Sequence, residues 1–272
     1  MEPRDPHTLL PSRLAVMGVL NATPDSFSDG GRFLAEDAAL AQGRRLVAEG
    51  ADILDIGGES TRPDAAPVPL DEELRRVLPV IRALAPELEV PISVDTFKAR
   101  TAEAALAAGA RMVNDVRGLR ADPDLARVCA EHEATVALMH FESHDIDPQA
   151  DILARVRDGL ARSLEIALRA GIDERRLLLD PGIGFGKSVA QNLALIRASG
   201  RFAAEFGRPV LIGASRKRMI VKLVGERAPQ ERLPATLALH VAAAMSGARA
   251  VRAHDVRAHR DALAMIDALE TA

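Results

Sequence analysis

The chain alternates short apolar segments with longer segments in which apolar residues recur at helical spacing. The apolar runs are rich in β-branched residues, and they predict parallel strands that helices cover on both faces. These predicted strands are residues 15–20, 51–57, 91–96, 110–116, 135–140, 176–181, 209–215 and 248–254. The intervening segments predict amphipathic helices at residues 36–49, 71–84, 98–108, 122–132, 149–170, 189–206, 232–246 and 256–270.

Eight strand and helix units in succession, several with a glycine where the helix ends, are typical of a (β/α)8 barrel. An open doubly wound sheet also alternates strands and helices, but no reversal of chain order is visible here. We therefore predict an α/β protein with a single-domain (β/α)8 TIM barrel fold over residues 1–272, with its core at 15–270 and an N-terminal extension at 1–12. Three long irregular segments, 21–35, 57–70 and 140–149, each follow a strand and belong on the rim that carries barrel chemistry.

Composition narrows the class of protein. The 35 basic and 39 acidic residues give a net charge of -4, so no basic field favours nucleic acid or an anionic membrane as a partner. A single cysteine, Cys129, excludes an internal disulfide and favours a cytoplasmic protein. The N-terminus lacks a signal-peptide pattern, and no apolar stretch is long enough to span a bilayer. With no Trp or Tyr and only seven Phe, a flat ligand must be stacked by Phe or held by polar groups.

A polar or charged residue stands at or just after the end of every predicted strand. These residues are Asn21, Asp55, Glu59, Asp95, Asn114, Asp115, His140, Asp180, Ser215, Lys217, Arg252, His254 and Asp255. A single residue of this kind is more often a helix cap or a hydrogen-bonded core group than a catalyst. Agreement among eight strand ends predicts a polar site at the mouth of the barrel.

The residue types at these strand ends indicate the chemistry of a ligand. Asp95, Asn114 and Asp180 together offer acceptors and donors to the edge of a nitrogen heterocycle. Lys217 and Arg252 add positive charge on the last two strands, where such barrels usually bind phosphate. We therefore predict a heterocyclic ligand that carries an anionic group.

Two other patterns do not predict sites of their own. The segment 180–188 resembles a nucleotide-binding glycine-rich loop, but its spacing misses that motif by one residue. His132, His140 and His144 lack the spacing of a zinc site. A magnesium ion shared with a phosphate group stays open, since it requires only one or two protein ligands.

The motifs along the chain resemble those of the dihydropteroate synthase family from about residue 15 to residue 255. They occupy residues 17–31, 55–63, 93–96, 114–115, 138–140, 180–187, 215–217 and 252–255. The resemblance implies a transferase that condenses hydroxymethyl-dihydropterin diphosphate with p-aminobenzoate, releases pyrophosphate, requires Mg2+, forms a homodimer and is inhibited by sulfonamides.

The same resemblance implies a role for particular residues. The pterin would be held by Asp95, Asn114, Asp180, Lys217, Gly184 and Phe185. The diphosphate would meet Asn21, Arg62, Arg252 and His254, with Asn21 as the magnesium ligand. The p-aminobenzoate would meet Phe27, Ser60, Thr61, Arg62, Pro63 and Arg218. Catalysis would rest on Asp95, Lys217, Arg252 and His254, with Asp95 stabilising positive charge as the carbon–oxygen bond breaks.

The sequence departs from the family pattern at Arg218, at residues 141–144 and at Ala253, where a bulkier apolar residue is common. Arg218 stands where some relatives have serine, so we expect the p-aminobenzoate carboxylate to meet a helix N-terminus and an arginine. Residues 141–144 after His140 leave the role of that loop open. Two alternatives to the synthase are a pterin-binding methyltransferase domain that serves a cobalamin partner and a catalytically silent pterin-binding paralogue. The loop segments 23–28 and 60–63, together with the basic pair Arg252 and His254, count against the first but do not exclude the second.

Overall fold

The structure is a computed structural model, and it describes residue 5 and residues 7–22, 32–60 and 66–271. Its strands are β1 Ala15–Asn21, β2 Ile53–Gly57, β3 Ile92–Asp95, β4 Met112–Asp115, β5 Thr135–Met139, β6 Leu177–Asp180, β7 Leu211–Ile212 and β8 Ala250–Ala253. Its α-helices are α1 Arg32–Ala48, α2 Leu70–Leu84, α3 Ala99–Ala107, α4 Leu125–Glu131, α5 Ile152–Arg169, α6 Val189–Arg197, α7 Ser199–Phe206, α8 Arg218–Val224, α9 Leu233–Met245 and α10 Val256–Thr271. No helix in the described part of the chain has the length and apolar content needed to cross a bilayer.

The eight strands form one parallel sheet in the order β6-β5-β4-β3-β2-β1-β8-β7. The two ends of this sheet meet, because Leu179 of β6 forms a parallel bridge with Val210, the residue before β7. The Leu179 N–H also donates to the Pro209 carbonyl at 2.9 Å. The predicted (β/α)8 barrel is therefore confirmed.

Two helical segments differ from the prediction. The helix expected at 189–206 is divided into α6 and α7, because the Gly200 N–H donates to the Ser246 carbonyl at 2.5 Å instead of continuing the helical ladder. The absence of a side chain at Gly200 allows this close approach, since a Cβ there would lie 2.7 Å from the Ser246 oxygen. A further short helix, α8, lies between β7 and α9 and buries Met219 and Ile220.

The lower half of the barrel interior is filled by apolar side chains. This inner cluster contains Leu10, Ala15, Met17, Ile53, Met112, Ala137, Leu178, Leu211 and Ala250. The N-terminal segment closes the bottom, where Leu10 enters the cluster and Thr135 Oγ1 donates to the His7 carbonyl at 2.5 Å. Because apolar side chains fill the lower half and the N-terminal segment closes the bottom, the polar side chains of the interior lie at the carboxyl ends of the strands.

Candidate active site

A layer of polar side chains lies inside the barrel, one step above the apolar cluster. Side chains alternate between the two faces of a strand, so the residue two positions after an interior residue also faces the interior. Ile53 therefore puts Asp55 inside, and Met112 does the same for Asn114. Asp95 pairs with Asn114 across β3 and β4. Asp55, Asp95, Asn114 and Asp180 are all buried.

Arg252 of β8 connects two strands on the opposite side of the barrel. Its Nε donates to Asp55 Oδ2 at 2.6 Å, and its Nη2 donates to Asp95 Oδ2 at 2.7 Å. Asn114 Nδ2 donates to the same Asp55 oxygen at 3.0 Å. Among the described residues, the second oxygen of Asp55 and that of Asp95 have no hydrogen-bond partner, although both are buried. Such a group costs about 1–3 kcal/mol, which a ligand with N–H donors would remove.

Three ionisable groups of this layer titrate closer to neutrality than usual. Burial raises the pKa of Asp95 to about 7, although the Arg252 guanidinium lowers it. Burial also raises the pKa of Asp180, against the N–H of Gly182 that donates to its Oδ1 at 2.7 Å. Burial lowers the pKa of Lys217 to about 8, against the attraction of Asp180. Several shifted groups in one cleft indicate a functional site.

The loop after β6 forms a wall beside Lys217. The ammonium of Lys217 lies 4.1 Å from the centroid of the Phe185 ring, a cation–π contact. Gly184 adopts φ +85°, and a Cβ at this position would lie 3.0 Å from Lys217 Cδ. Glycine at 184 therefore lets the loop backbone approach the lysine side chain.

The ends of β7 and β8 form a second corner of the site. Ser215 Oγ lies 2.9 Å from His254 Nδ1 and accepts the His254 backbone N–H at 3.3 Å. Burial and the charge of Arg252 lower the pKa of His254 to about 3, so the imidazole is neutral at pH 7. In the tautomer that carries its proton on Nε2, Nδ1 accepts the serine hydroxyl and Nε2–H is a donor. Asn21, Arg216 and His254 line a cavity of about 570 Å³ at this corner.

Two polar strand ends do not face the barrel interior, which corrects the prediction that all of them meet at the mouth. Asp115 follows Asn114 by one position and accepts the N–H groups of Arg117 and Leu119 at 2.7 and 2.5 Å. The ring of His140 lies against Gly159 of α5, where an added Cβ would be 2.3 Å from its Cδ2. Strand alternation places both between the barrel and the helices.

The loop after β2 is held at both ends by a lysine that the sequence did not single out. Lys98 Nζ donates to Glu59 Oε2 at 2.7 Å, to the Val68 carbonyl at 2.6 Å and to Glu73 Oε2 at 2.8 Å. Glu73 also accepts the hydroxyl of Thr96 at 2.7 Å. A polar residue three positions after Asp95 in the same rim segment was the available signal for Lys98.

The residues predicted to meet the second substrate are only partly described. Phe27, Thr61, Arg62 and Pro63 lie outside the described residues. Ser60 is exposed at the first end of its loop, and Arg218 is exposed as the first residue of α8. Asn21 is exposed at the end of β1. The described part of the chain has no group of three or more His, Cys, Asp or Glu side chains that would hold a metal ion.

Comparison with known proteins identifies the family. The family described as "Pterin binding enzyme" matches residues 17–254. The dihydropteroate synthase of Bacillus subtilis is 44% identical over 254 residues, which cover 93% of this chain and 88% of that protein. The chain belongs to the dihydropteroate synthase family. The dihydropteroate synthase of Mycobacterium leprae is also 44% identical, over 264 residues that cover 93% of this chain and 92% of that protein.

Solved structures of dihydropteroate synthases share the fold over almost the whole chain. The Xanthomonas albilineans enzyme with 4-aminobenzoic acid superposes with a TM-score of 0.92 at 49% identity, covering 96% of this chain and 94% of that one. The enzyme of the same organism in complex with 7,8-dihydropteroate gives a TM-score of 0.88 at 47% identity, over 96% and 95% of the two chains. The family predicted from the motifs, and with it the transferase class, is confirmed.

Proposed function

We propose that this chain condenses hydroxymethyl-dihydropterin diphosphate with p-aminobenzoate to give dihydropteroate and pyrophosphate. The observation that carries the proposal is the buried second oxygen of Asp95, which has no hydrogen-bond partner among the described residues and lies inside the barrel near Asn114, Asp180 and Lys217. A ligand with N–H donors on one edge and a carbonyl oxygen on another meets these groups. A pterin ring has both edges.

The pterin is held by the interior layer. Asp95 and Asp180 accept N–H groups of the heterocycle, and Asn114, which spends an N–H on Asp55, offers its carboxamide oxygen. Lys217 donates to the acceptor edge of the ring. Phe185 and Gly184 form the wall that keeps water from this part of the ligand, and the Phe185 contact keeps the lysine beside it.

The reaction breaks the bond between the pterin methylene carbon and the diphosphate oxygen, and the electron pair leaves with pyrophosphate. The ionised Asp95 carboxylate stabilises the positive charge that develops on the pterin. The arylamine nitrogen then attacks the methylene carbon and loses a proton to solvent. Because Arg252 donates its Nε–H and one N–H of Nη2 to two carboxylates, it offers the leaving group the remaining N–H groups of Nη1 and Nη2.

The diphosphate lies at the corner formed by β1, β7 and β8. His254 contributes a hydrogen bond from Nε2–H and not a full positive charge, because its imidazole is neutral before the anion binds. The carboxamide oxygen of Asn21 suits Mg2+, which prefers hard oxygen ligands and takes most of its remaining ligands from phosphate and water. When bound, Mg2+ neutralises charge on the diphosphate. Arg62 would add a second cation from the loop after β2.

The second substrate meets the rim outside the pterin. Ser60 and Arg218 bind p-aminobenzoate together with Phe27, Thr61, Arg62 and Pro63. Lys98 supports this binding indirectly, because it ties Glu59 and Val68 at the two ends of the loop that contains residues 60–63.

We also propose a cytoplasmic homodimer with no nucleic acid or membrane partner. Three of the exposed large apolar side chains belong to the last two helices, namely Met245 of α9 and Met265 and Leu269 of α10. Met265 and Leu269 are four positions apart and therefore share one helix face. Burial of this face in a dimer would remove apolar surface from water.

Pyrophosphate release from the pterin diphosphate tests the proposal, measured with and without p-aminobenzoate and Mg2+. We expect release that requires both and sulfonamides that compete with p-aminobenzoate. Release that ignores p-aminobenzoate would contradict the synthase. Binding without release would indicate the silent paralogue, and no binding of the diphosphate would be expected of a methyltransferase domain.

Two substitutions test the pterin site. Lys217→Ala and Asp180→Ala are expected to abolish measurable pterin binding by calorimetry, because each removes a charged hydrogen-bond partner of the ring. Lys222→Ala is the matched control, since Lys222 is an exposed lysine on α8. Equal and mild effects of all three would contradict the assignment.

A further inference from the structure

Arg216, the residue before Lys217, has a left-handed backbone. Its φ is +59°, a conformation that side chains other than glycine disfavour because Cβ approaches the following carbonyl oxygen. Strained backbone of this kind persists only where the surrounding structure holds it, and it concentrates at functional sites. We therefore expect neighbouring groups to hold Arg216 in this conformation.

Contacts from three elements hold Arg216. Its N–H donates to Thr236 Oγ1 at 3.1 Å, and its carbonyl accepts from Arg232 Nη1 at 2.9 Å. Its guanidinium forms a two-pronged ion pair with Asp255, with Nε and Nη2 at 3.0 and 2.6 Å from the two carboxylate oxygens. Backbone donor, backbone acceptor and side chain of this residue are all engaged.

Helix α9, which contains Thr236, also holds Ala214, two residues before Arg216. His240 lies one turn after Thr236 on α9, and its Nε2 accepts the Ala214 N–H at 3.0 Å. Thr236 and His240 are both fully buried. On the other side, Ser215 pairs with His254 just as Arg216 pairs with Asp255. Hydrogen bonds from α9 on one side, and contacts with His254 and Asp255 after β8 on the other, thus fix segment 214–216.

These contacts of segment 214–216 determine the direction of the Lys217 side chain. Lys217 follows directly, and its ammonium reaches the Phe185 ring beside Asp180. If Arg216 relaxed to a right-handed or extended conformation, the chain direction at Lys217 would turn and the ammonium would leave the pocket. None of the groups that hold Arg216 belongs to the pterin layer of Asp55, Asp95, Asn114 and Asp180.

We propose that Arg216 and Thr236 are positioning residues, which act through the left-handed turn at 216 to keep Lys217 aimed at the pterin. The inference rests on the proposed function and gives both residues a role that acts through the backbone and requires no contact of theirs with the pterin ring. It makes the affinity for pterin dependent on a backbone conformation held by α9.

A pair of substitutions at one position isolates the backbone. Arg216→Ala and Arg216→Gly both remove the ion pair with Asp255, but glycine adopts positive φ without strain. We expect Arg216→Gly to bind hydroxymethyl-dihydropterin diphosphate about tenfold more tightly than Arg216→Ala in calorimetry, because a left-handed alanine is disfavoured. Equal dissociation constants, or a tighter alanine variant, would overturn the inference.

Glu133 provides the matched control for this pair. Its φ is +50° and its side chain is exposed in the turn between α4 and β5, at the amino end of the strands and away from the site. Glu133→Gly and Glu133→Ala are expected to differ in melting temperature but to bind the pterin diphosphate equally. A difference in binding at 133 as large as that at 216 would show a general effect on folding and would count against the proposal.

Thr236 is tested with a substitution of nearly the same shape. Thr236→Val leaves the Arg216 N–H unpaired and is expected to weaken pterin binding about tenfold, whereas Thr236→Ser keeps the hydroxyl and restores it. The KM for p-aminobenzoate should not change. Thr135→Val, which removes a hydrogen bond of a buried threonine at the bottom of the barrel, should bind pterin normally.

The outcomes separate this inference from the proposed function. If the unaltered protein neither binds the pterin diphosphate nor releases pyrophosphate, the proposed function fails. If it does both and Thr236→Val binds the pterin diphosphate normally, only the positioning role is wrong. A rise in the KM for p-aminobenzoate equal to the loss of pterin affinity would also refute that role, since it would indicate general damage.

Discussion

Replacement of Arg252 by methionine would remove the cation that joins β8 to two carboxylates across the barrel. Arg252 contacts Asp55 at 2.6 Å and Asp95 at 2.7 Å, and the exposed fractions of those carboxylate side chains are 0% and 6%. Methionine has a similar length and no charge. The variant therefore leaves two buried acids without their cation, which is more costly than removing a whole ion pair.

The structure sets the size of the effect. Loss of one partner of a buried pair costs about 3–5 kcal/mol. Because 21% of the Arg252 side chain is exposed, solvent screens part of the interaction and the lower end of the range, about 3 kcal/mol, applies. In a domain of this size that corresponds to a fall in melting temperature of roughly 6–12 °C. Differential scanning calorimetry at pH 8 would measure it.

The effect must depend on pH in a definite direction. Burial already raises the pKa of Asp95 to about 7, and loss of Arg252 raises it further. An acid whose folded pKa exceeds its unfolded value costs stability as pH rises through that interval, and the cost disappears when the acid is protonated. The difference between Arg252→Met and the unaltered protein should therefore shrink from pH 8 to pH 5.

An exposed arginine supplies the comparison for this experiment. Arg257→Met on α10 should change the melting temperature by less than about 2 °C, since surface substitutions are usually within about 0.5 kcal/mol. A fall at Arg252 no larger than this, or one that is the same at pH 5 and pH 8, would refute the reasoning about the buried carboxylates.

Three further predictions concern the site. Pterin affinity measured by calorimetry between pH 5 and 10 should rise through about 7 as Asp95 ionises and fall through about 8 as Lys217 loses its charge; Asp95→Asn should lack the rise at low pH. Lys98→Met should raise the KM for p-aminobenzoate several-fold with unchanged pterin affinity, and a loss of pterin affinity alone would contradict its role at the loop ends. Lys187 donates to the carbonyls of residues 140, 182 and 185. Lys187→Met should therefore lower the free energy of unfolding, measured in urea, by about 2 kcal/mol and weaken pterin binding in calorimetry. A variant of normal stability and normal binding would contradict this.

Much of the site follows from strand periodicity. The interior position of Asn114 can be obtained from its spacing of two from the apolar Met112. The same rule, applied to Asp115 and His140, would have assigned them to the helix-facing side. The sequence prediction grouped them with the mouth because it counted polar residues at strand ends without assigning each one to a face.

Other features of the site depend on contacts that no local pattern contains. Arg252 is 197 positions from Asp55 and 157 from Asp95, and both pairs form only because the barrel closes. The sequence indicated an arginine whose donors are all available to the diphosphate, whereas two of them already bind Asp55 and Asp95. The neutral state of His254 follows from its burial beside Arg252. The left-handed backbone of Arg216 has no signature in residue type.

The seam between β6 and β7 is a place where a bound substrate would affect the stability of the barrel. The strands close there through the bridge of Leu179 with Val210, while Asp180 and Lys217 face the pocket from the two sides of the seam. If pterin binds both side chains as proposed, it would connect the two strands across the seam and stabilise the closed barrel at the point where few backbone contacts close it. Amide exchange at Leu179 should slow when pterin binds, and the occupied barrel should resist opening along this line.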